Sequence, residues 1–287
     1  RYFYESLYSG HPYGTPPSGT RESLQAIKRQ DLLNYYQQYY VAKNVVLAIV
    51  GDLTESQAHE YAEKISQAMS AGQKAAELPI AKQQTKAIVV RENHPSTQTT
   101  VLMGQPVLKR GDKDLYALYI ANHILGGSGF SSRLMKEVRV KRGLTYSIGS
   151  HIVPMHAQGP YQFSFTTKKR STQEAIQLVE KNLHEFIMQG PTADELINAK
   201  LNITGSFPLR QMSNGDIVQN LAVIGFYDLP LDYLDNYNAH IEAVTLEQIK
   251  AVFKKRVHPQ TMAKIIVGPD VESGPESVEK TIEKKTK

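Results

Sequence analysis

The stretch Asp31–Gly51 (DLLNYYQQYYVAKNVVLAIVG) runs parallel to Glu247–Gly268 (EQIKAVFKKRVHPQTMAKIIVG), and this repeat constrains the fold more than any other feature of the chain. Each copy begins with apolar residues at helical spacing, breaks at a short polar segment, and ends in an apolar run closed by Val-Gly. In the first copy Leu32, Tyr35, Tyr36 and Tyr39 form the helical stripe, and Asn44 breaks it. Val45–Val50 then reads as a buried strand, as does Met262–Val267 in the second copy. Two near-equal closing units imply a tandem duplication of one α+β domain. The alternative is two unrelated helix–strand pairs.

Duplication carries an expectation of length. The second copy, counted from Thr85, is complete at Gly268, so a first copy of equal size ending at Gly51 needs roughly 130 residues before Arg1. The chain starts at Arg rather than Met, which fits a cut or processed polypeptide. Residues 1–70 therefore read as the C-terminal remnant of a first domain. Residues 71–84, with Gly72, Pro79 and many Ala, Lys and Gln, read as a linker. Residues 85–271 read as a complete second domain and 272–287 as a charged, solvated tail. A domain without its opening strands exposes sheet edge or apolar surface, which is costly unless a partner covers it.

Within the second domain, Ala87–Val90 and Thr99–Met103 predict strands separated by Asn93, His94 and Pro95. Leu115–Leu125 predicts a helix ended by Gly126 and Gly127, and Arg133–Arg142 a second helix stopped by Gly143. Tyr146–Val153 is rich in strand formers, and Tyr161, Phe163 and Phe165 alternate with polar residues. Capping boxes at Thr54/Gln57, Ser171/Glu174, Thr192/Glu195 and Thr245/Gln248 mark helix starts. The fold class is α+β, a mainly antiparallel sheet with helices packed on one face.

Composition removes several function classes. The 287 residues include no cysteine, which excludes disulfides, thiolate metal sites and a Cys nucleophile. A formal charge of +5 with interleaved acids and bases, and only one short basic stretch at Lys136–Arg142, argues against a nucleic-acid partner. No apolar run is long enough for membrane insertion, and no secretory signal opens the chain.

A helical zinc-peptidase site needs two His four residues apart with a carboxylate between them, to bind metal and activate water. None of the nine His has that arrangement. His184-Glu185 has Met188 where the second His belongs, and His59-Glu60 has Glu63. No metal ligand set is assigned to this chain. Ser128, within Gly126-Gly127-Ser128-Gly129, lacks the preceding apolar strand of a nucleophile turn and reads as part of a glycine-rich cap.

More specific is Gly126–Leu134 (GGSGFSSRL), followed by Val138-Arg139 and by Arg142–Ser147 (RGLTYS). Here the sequence resembles the second domain of the pitrilysin/insulinase family of zinc metallopeptidases, which includes the mitochondrial processing peptidases. His11–Gly14 (HPYG) and Val50-Gly51-Asp52 resemble segments of the family's first domain. Gly205–Arg210 (GSFPLR) and Leu229–Leu234 (LPLDYL) resemble its small bacterial members. The likeness extends over about residues 1 to 270.

The resemblance implies a zinc site, His-x-x-Glu-His plus a later Glu, lying ahead of Arg1. Zinc thus belongs to the parent protein and not to this chain. It also implies an Arg and a Tyr seven residues apart in the second domain, here Arg139 and Tyr146. Tyr146 would be catalytic, stabilising the oxyanion, and Arg139 and Tyr146 would both bind substrate. Read without the resemblance, Arg139 is a helix C-terminal cation and Tyr146 a strand aromatic. The implied function is the C-terminal, substrate-binding part of a zinc-dependent endopeptidase acting on extended peptides, inactive alone. Its partners are a peptide substrate and either the missing zinc domain or a homologous zinc-bearing subunit. A non-catalytic partner subunit and a peptide-binding scaffold are the alternatives. Exported bacterial relatives imply a periplasmic location, with the cytoplasm also open.

Overall fold

The structure is a computed structural model that describes residues 1–269; the expected charged tail and residues 270–271 lie outside them. Four helices come first: α1 (Tyr2–Leu7), α2 (Arg21–Ala26), α3 (Arg29–Tyr39) and α4 (Glu55–Gln67). Strands β1 (Ile88–Asn93) and β2 (Thr99–Leu108), helix α5 (Leu115–Asn122), and strands β3 (Thr145–Ile152) and β4 (Gly159–Thr167) follow. Helices α6 (Thr172–Gln189), α7 (Ala193–Ser206), α8 (Asn214–Phe226), α9 (Tyr237–Glu242) and α10 (Leu246–Arg256) precede the closing strand β5 (Ala263–Gly268). Contacts gather the chain into two compact units. One joins Arg1–Pro16, Pro79–Asn202 and the chain from Ala239 on; the other joins Pro17–Leu78 and Ile203–Asn238.

The first unit is an α+β domain built on a five-stranded sheet in the order β1-β5-β2-β4-β3. β5 runs parallel to β1, and every other pairing is antiparallel, so the mainly antiparallel sheet is as the sequence predicts. Alternation decides the faces. Val101 and Met103 of β2 lie opposite Phe165 and Phe163 of β4, and all four are buried. Their layer continues through Tyr161 to Phe253 of α10 and Phe186 of α6, the last two rings 4.7 Å apart. Each such side chain contributes about 1.5–3 kcal/mol through its removal from water.

The opposite parity of β5, Ala263 and Ile265, meets a second cluster made by Phe3 and Leu7 of α1 and by Tyr8, which caps it. Helix α1 thus adds a short cover to the other face of the sheet. The loop behind it is tied down by polar contacts. Tyr8 Oη donates to Gln158 O at 2.9 Å, and the Ala157 amide donates to Tyr13 Oη at 3.1 Å. His11 Nδ1 accepts from the Tyr13 amide at 3.1 Å, which leaves Nε2 to donate to Pro79 O at 2.9 Å.

Strands β1 and β2 outrun their predicted ends because pairing extends them. Arg91 and Glu92 look like loop residues in sequence, yet β5 pairs with β1 as far as Asn93 opposite Gly268. The capping boxes at Thr192/Glu195 and Thr245/Gln248 form as predicted. The one at Ser171/Glu174 does not. Ser171 is helical, at φ −100° and ψ 0°, rather than extended, so its hydroxyl makes no cap bond, and a 3₁₀ turn (Lys169–Ser171) leads into α6.

In the second unit, α3 forms as the stripe predicts and α4 starts at the Thr54/Gln57 box. The buried strand expected at Val45–Val50 is absent. A 3₁₀ turn (Ala42–Asn44) is followed by chain that pairs with no strand among the described residues. A strand exists only as one side of a ladder, and an apolar run alone cannot supply the other side. Residues 70–86 carry no regular structure.

Candidate functional site

The site is carried by the segment from Ser128 to Ser147. After α5 the helix widens into a π-helical turn (His123–Gly127), and a 3₁₀ turn (Gly129–Ser131) presents Phe130 to solvent. A second π-helical segment (Met135–Val140) carries Arg139 and packs against β3. Wide π turns stand out because they sacrifice regular hydrogen bonding and recur at functional positions. The turn into β3 is closed by Gly143 N–H donating to Arg139 O at 2.8 Å and Leu144 N–H to Val138 O at 3.1 Å. Gly143 has φ +63°, a left-handed geometry that other residues adopt only at a cost.

Tyr146 is 77 % exposed on β3. It sits where the register with β4 slips, between Thr145 and Ile148. Such an irregularity bends a strand and re-aims its side chains. Thr145 fixes it: its Oγ1 lies 2.7 Å from the carbonyls of both Ser147 and Thr166, donating to one at a time, and accepts from the Ser147 amide at 3.2 Å.

Charges around Arg139 are already paired. Glu137 takes Lys141 at 2.5 Å and Arg142 at 3.0 Å. The bond from Lys141 first, then that from Arg142, holds the Glu137 carboxyl below its ordinary range against the opposing effect of burial. Arg133 forms a two-pronged pair with Glu195, Nε to Oε1 at 2.7 Å and Nη2 to Oε2 at 2.6 Å, and also reaches Gly190 O at 3.1 Å. Arg139 has instead the face of Phe130, with its guanidinium carbon 4.6 Å from the ring centroid. A cation–π contact holds a guanidinium without consuming its hydrogen-bond donors. Among the described residues, then, an Arg with free donors and an exposed phenol lie on adjoining elements. Together they can bind a carbonyl, a carboxylate or a developing oxyanion.

Sequence reasoning singled out Arg139 and Tyr146 but missed Phe130 and the Arg133–Glu195 clamp. The signal for Phe130 is an aromatic in an otherwise small and polar turn. Glu195 was read only as a capping residue, and it serves both roles. Elsewhere, an open groove of about 830 Å³ is lined by α6, α10, β5 and the turn between the last two, including His184, Lys254 and His258. Lys264 and Glu180, also in its lining, are ion-paired. Among the described residues no three His, Asp or Glu gather as a metal-ligand set, and no helix is long and apolar enough to cross a membrane.

Comparison with known proteins agrees with this architecture. Residues 26–203 match the family described as the peptidase M16 inactive domain. A Helicobacter pylori protein named non-peptidase homolog YmxG is 29 % identical over 255 residues, 87 % of this chain and 58 % of that protein. A Bacillus subtilis protein named an uncharacterized zinc protease is 26 % identical, over 88 % of this chain and 60 % of its own length. The chain thus spans about three-fifths of these curated relatives. A crystal structure from Pseudomonas fluorescens, described as a peptidase M16 inactive domain, is 36 % identical and covers 96 % of this chain and 66 % of that one, with a TM-score of 0.89. With the sheet, the glycine-rich turn and the match over most of its length in agreement, the chain belongs to the peptidase M16 inactive-domain family.

Proposed function

We propose that this chain is the substrate-binding part of a zinc-dependent endopeptidase for extended peptides and is inactive by itself. The observation that carries the reading is the pair Arg139 and Tyr146. One is a guanidinium held by Phe130 with its donors unspent; the other is an exposed phenol set in a strand irregularity. An extended peptide pairs its backbone with a sheet edge, and the pair then meets one of its carbonyls. Arg139 fixes that carbonyl or a neighbouring carboxylate, and Tyr146 donates its hydroxyl proton to the oxygen as negative charge develops there. Among the described residues no three His, Asp or Glu gather as a metal-ligand set, and the proposal places the zinc on a zinc-bearing polypeptide of the same family. Relatives named zinc proteases, each longer than the matched region, support that assignment.

A second reading has a specific support: one relative is named a non-peptidase homolog. In that case the chain is a non-catalytic subunit that lends Arg139 and Tyr146 to a separate zinc-bearing homologue. One experiment tests the site in both readings. The chain is mixed with a zinc-bearing homologue and cleavage of an unstructured peptide is followed. Activity absent from the chain alone is expected to appear, and Tyr146→Phe to lower it by about 10²–10³-fold. Zinc bound stoichiometrically by this chain alone, or unchanged activity in the variant, overturns the proposal. The protein is further proposed to be periplasmic, and its recovery from the cytoplasmic fraction of osmotically shocked source cells would contradict that.

A further inference from the structure

Arg133 lies between the two halves of the exposed site, after Phe130 and before Arg139. Three contacts converge on it. Its guanidinium carbon stands 4.9 Å from the ring centroid of Phe186 in α6, a ring that is fully buried. Its Nη2 donates to Gly190 O at 3.1 Å, just past the end of α6. Nε and Nη2 together donate to the two carboxylate oxygens of Glu195, in the first turn of α7, at 2.7 and 2.6 Å. Glu195 is itself held: its Oε2 accepts from the Thr192 amide at 2.8 Å, and its own amide donates to Thr192 Oγ1 at 3.2 Å. The two side chains are only 23 % and 31 % exposed, which sets this pair apart from a solvated surface ion pair.

The stretch that Arg133 anchors is loosely specified by its own backbone. A 3₁₀ turn carries Phe130 and a π-helical segment carries Arg139, and neither has the repeating bonds of a regular α-helix. Burial settles the inner side of the segment, where Leu134, Met135 and Val138 lie in the core. On the outer side stand Phe130 and the Arg139 guanidinium over its ring. Apolar burial is non-directional and tolerates sliding, whereas a fork of two short charge-assisted hydrogen bonds does not.

We propose that Arg133 is a positioning residue of the substrate site. Its fork onto Glu195 locks the segment from Phe130 to Arg139 to the end of α6 and the start of α7, and so sets where the Arg139 guanidinium meets a peptide carbonyl. The inference rests on the reading that Arg139 binds substrate, and it names the group that aims it. Arg133 acts through Arg139 and not on the peptide: its Nε and Nη2 are spent on Glu195 and Gly190, and its face on Phe186. A lysine at this position keeps the charge but has neither the planar fork nor the stacking face, so it cannot hold the direction. Direction matters because misplacing a substrate-fixing group by about 1 Å costs up to about 10²-fold in rate.

The test is a double-mutant cycle on the full chain mixed with a zinc-bearing homologue, with cleavage of an unstructured peptide followed well below the melting temperature of every variant. Arg133→Lys is expected to lower kcat/KM by about tenfold, mostly through kcat, and Arg139→Ala to lower it further. Made on top of Arg139→Ala, Arg133→Lys should cost less than about twofold, because the group it aims is already gone. Glu195→Gln keeps the size of the side chain and an acceptor for the Thr192 amide, and it gives the same cycle should Arg133→Lys melt too low. The inference is overturned if Arg133→Lys costs the same factor in both backgrounds, the mark of a merely structural role. It is overturned equally if Arg139→Ala impairs cleavage and Arg133→Lys does not. A wild-type mixture that does not cleave, or that cleaves as well with Arg139→Ala, overturns instead the reading of the site on which the inference rests.

Discussion

Glu195 shows how one side chain serves two structural tasks. Burial raises its pKa, but hydrogen bonds from Arg133 and from Thr192 outweigh that and hold the carboxyl below its ordinary value. Asp114 behaves alike: burial opposes, while bonds from Lys255 and Arg256 prevail and the net shift is downward. A carboxyl depressed in the folded state stabilises the fold above its unfolded pKa. That contribution disappears as pH falls through the folded value. The melting temperature should therefore fall on acidification below about pH 4.5, where unfolded carboxyls begin to take up protons. In Glu195→Gln combined with Asp114→Asn the fall should be shallower, and parallel curves for wild type and variant would remove these two groups as its cause. The sequence exposed Glu195 only through the local Thr192/Glu195 spacing. Its bond to Arg133 crosses 62 residues of chain, and no local pattern encodes that.

At the scale of elements, legibility followed locality. Helices with their own start signals, such as α4 and α10, are readable because the capping hydrogen bonds lie within four residues. β4 is readable because Tyr161, Phe163 and Phe165 alternate cleanly. Val45–Val50 was misread for the opposite reason: its apolar pattern specifies what the segment needs, not whether a partner supplies it. The extension of β1 through Arg91 and Glu92 is likewise set by β5, which arrives 170 residues later in sequence. The turn at Gly143 was legible as a helix stop, but its left-handed backbone was not. Replacing Gly143 with Ala places a Cβ at φ +63° and should cost about 1–2 kcal/mol, measurable as a lower denaturation midpoint. A midpoint equal to wild type would mean that the turn relaxes without strain.

For the whole molecule, the repeat was the most informative signal, and the structure gives it a sharper meaning. One copy of the helix–strand unit is completed by its sheet, and the other presents the same sequence pattern without one. Tyr35, Tyr36 and Tyr40 of the first copy are exposed, whereas Phe253 of α10 in the second copy is fully buried. Among the described residues no metal-ligand set gathers, so the proposed zinc chemistry has no counterpart in the structure. The proposed Arg139/Tyr146 site was legible only through the family likeness, because a free guanidinium and an exposed phenol leave no trace in periodicity.

The central claim, that this chain completes a zinc-bearing peptidase, is tested most directly on the native protein from its source cells, by intact mass measurement with metal analysis of the same particle. The account predicts a zinc-containing species in which the His-x-x-Glu-His motif lies either ahead of Arg1 in the same polypeptide or in a co-purifying homologue. A native species with neither zinc nor that motif, in this chain or in any chain bound to it, would contradict the account and leave a peptide-binding scaffold.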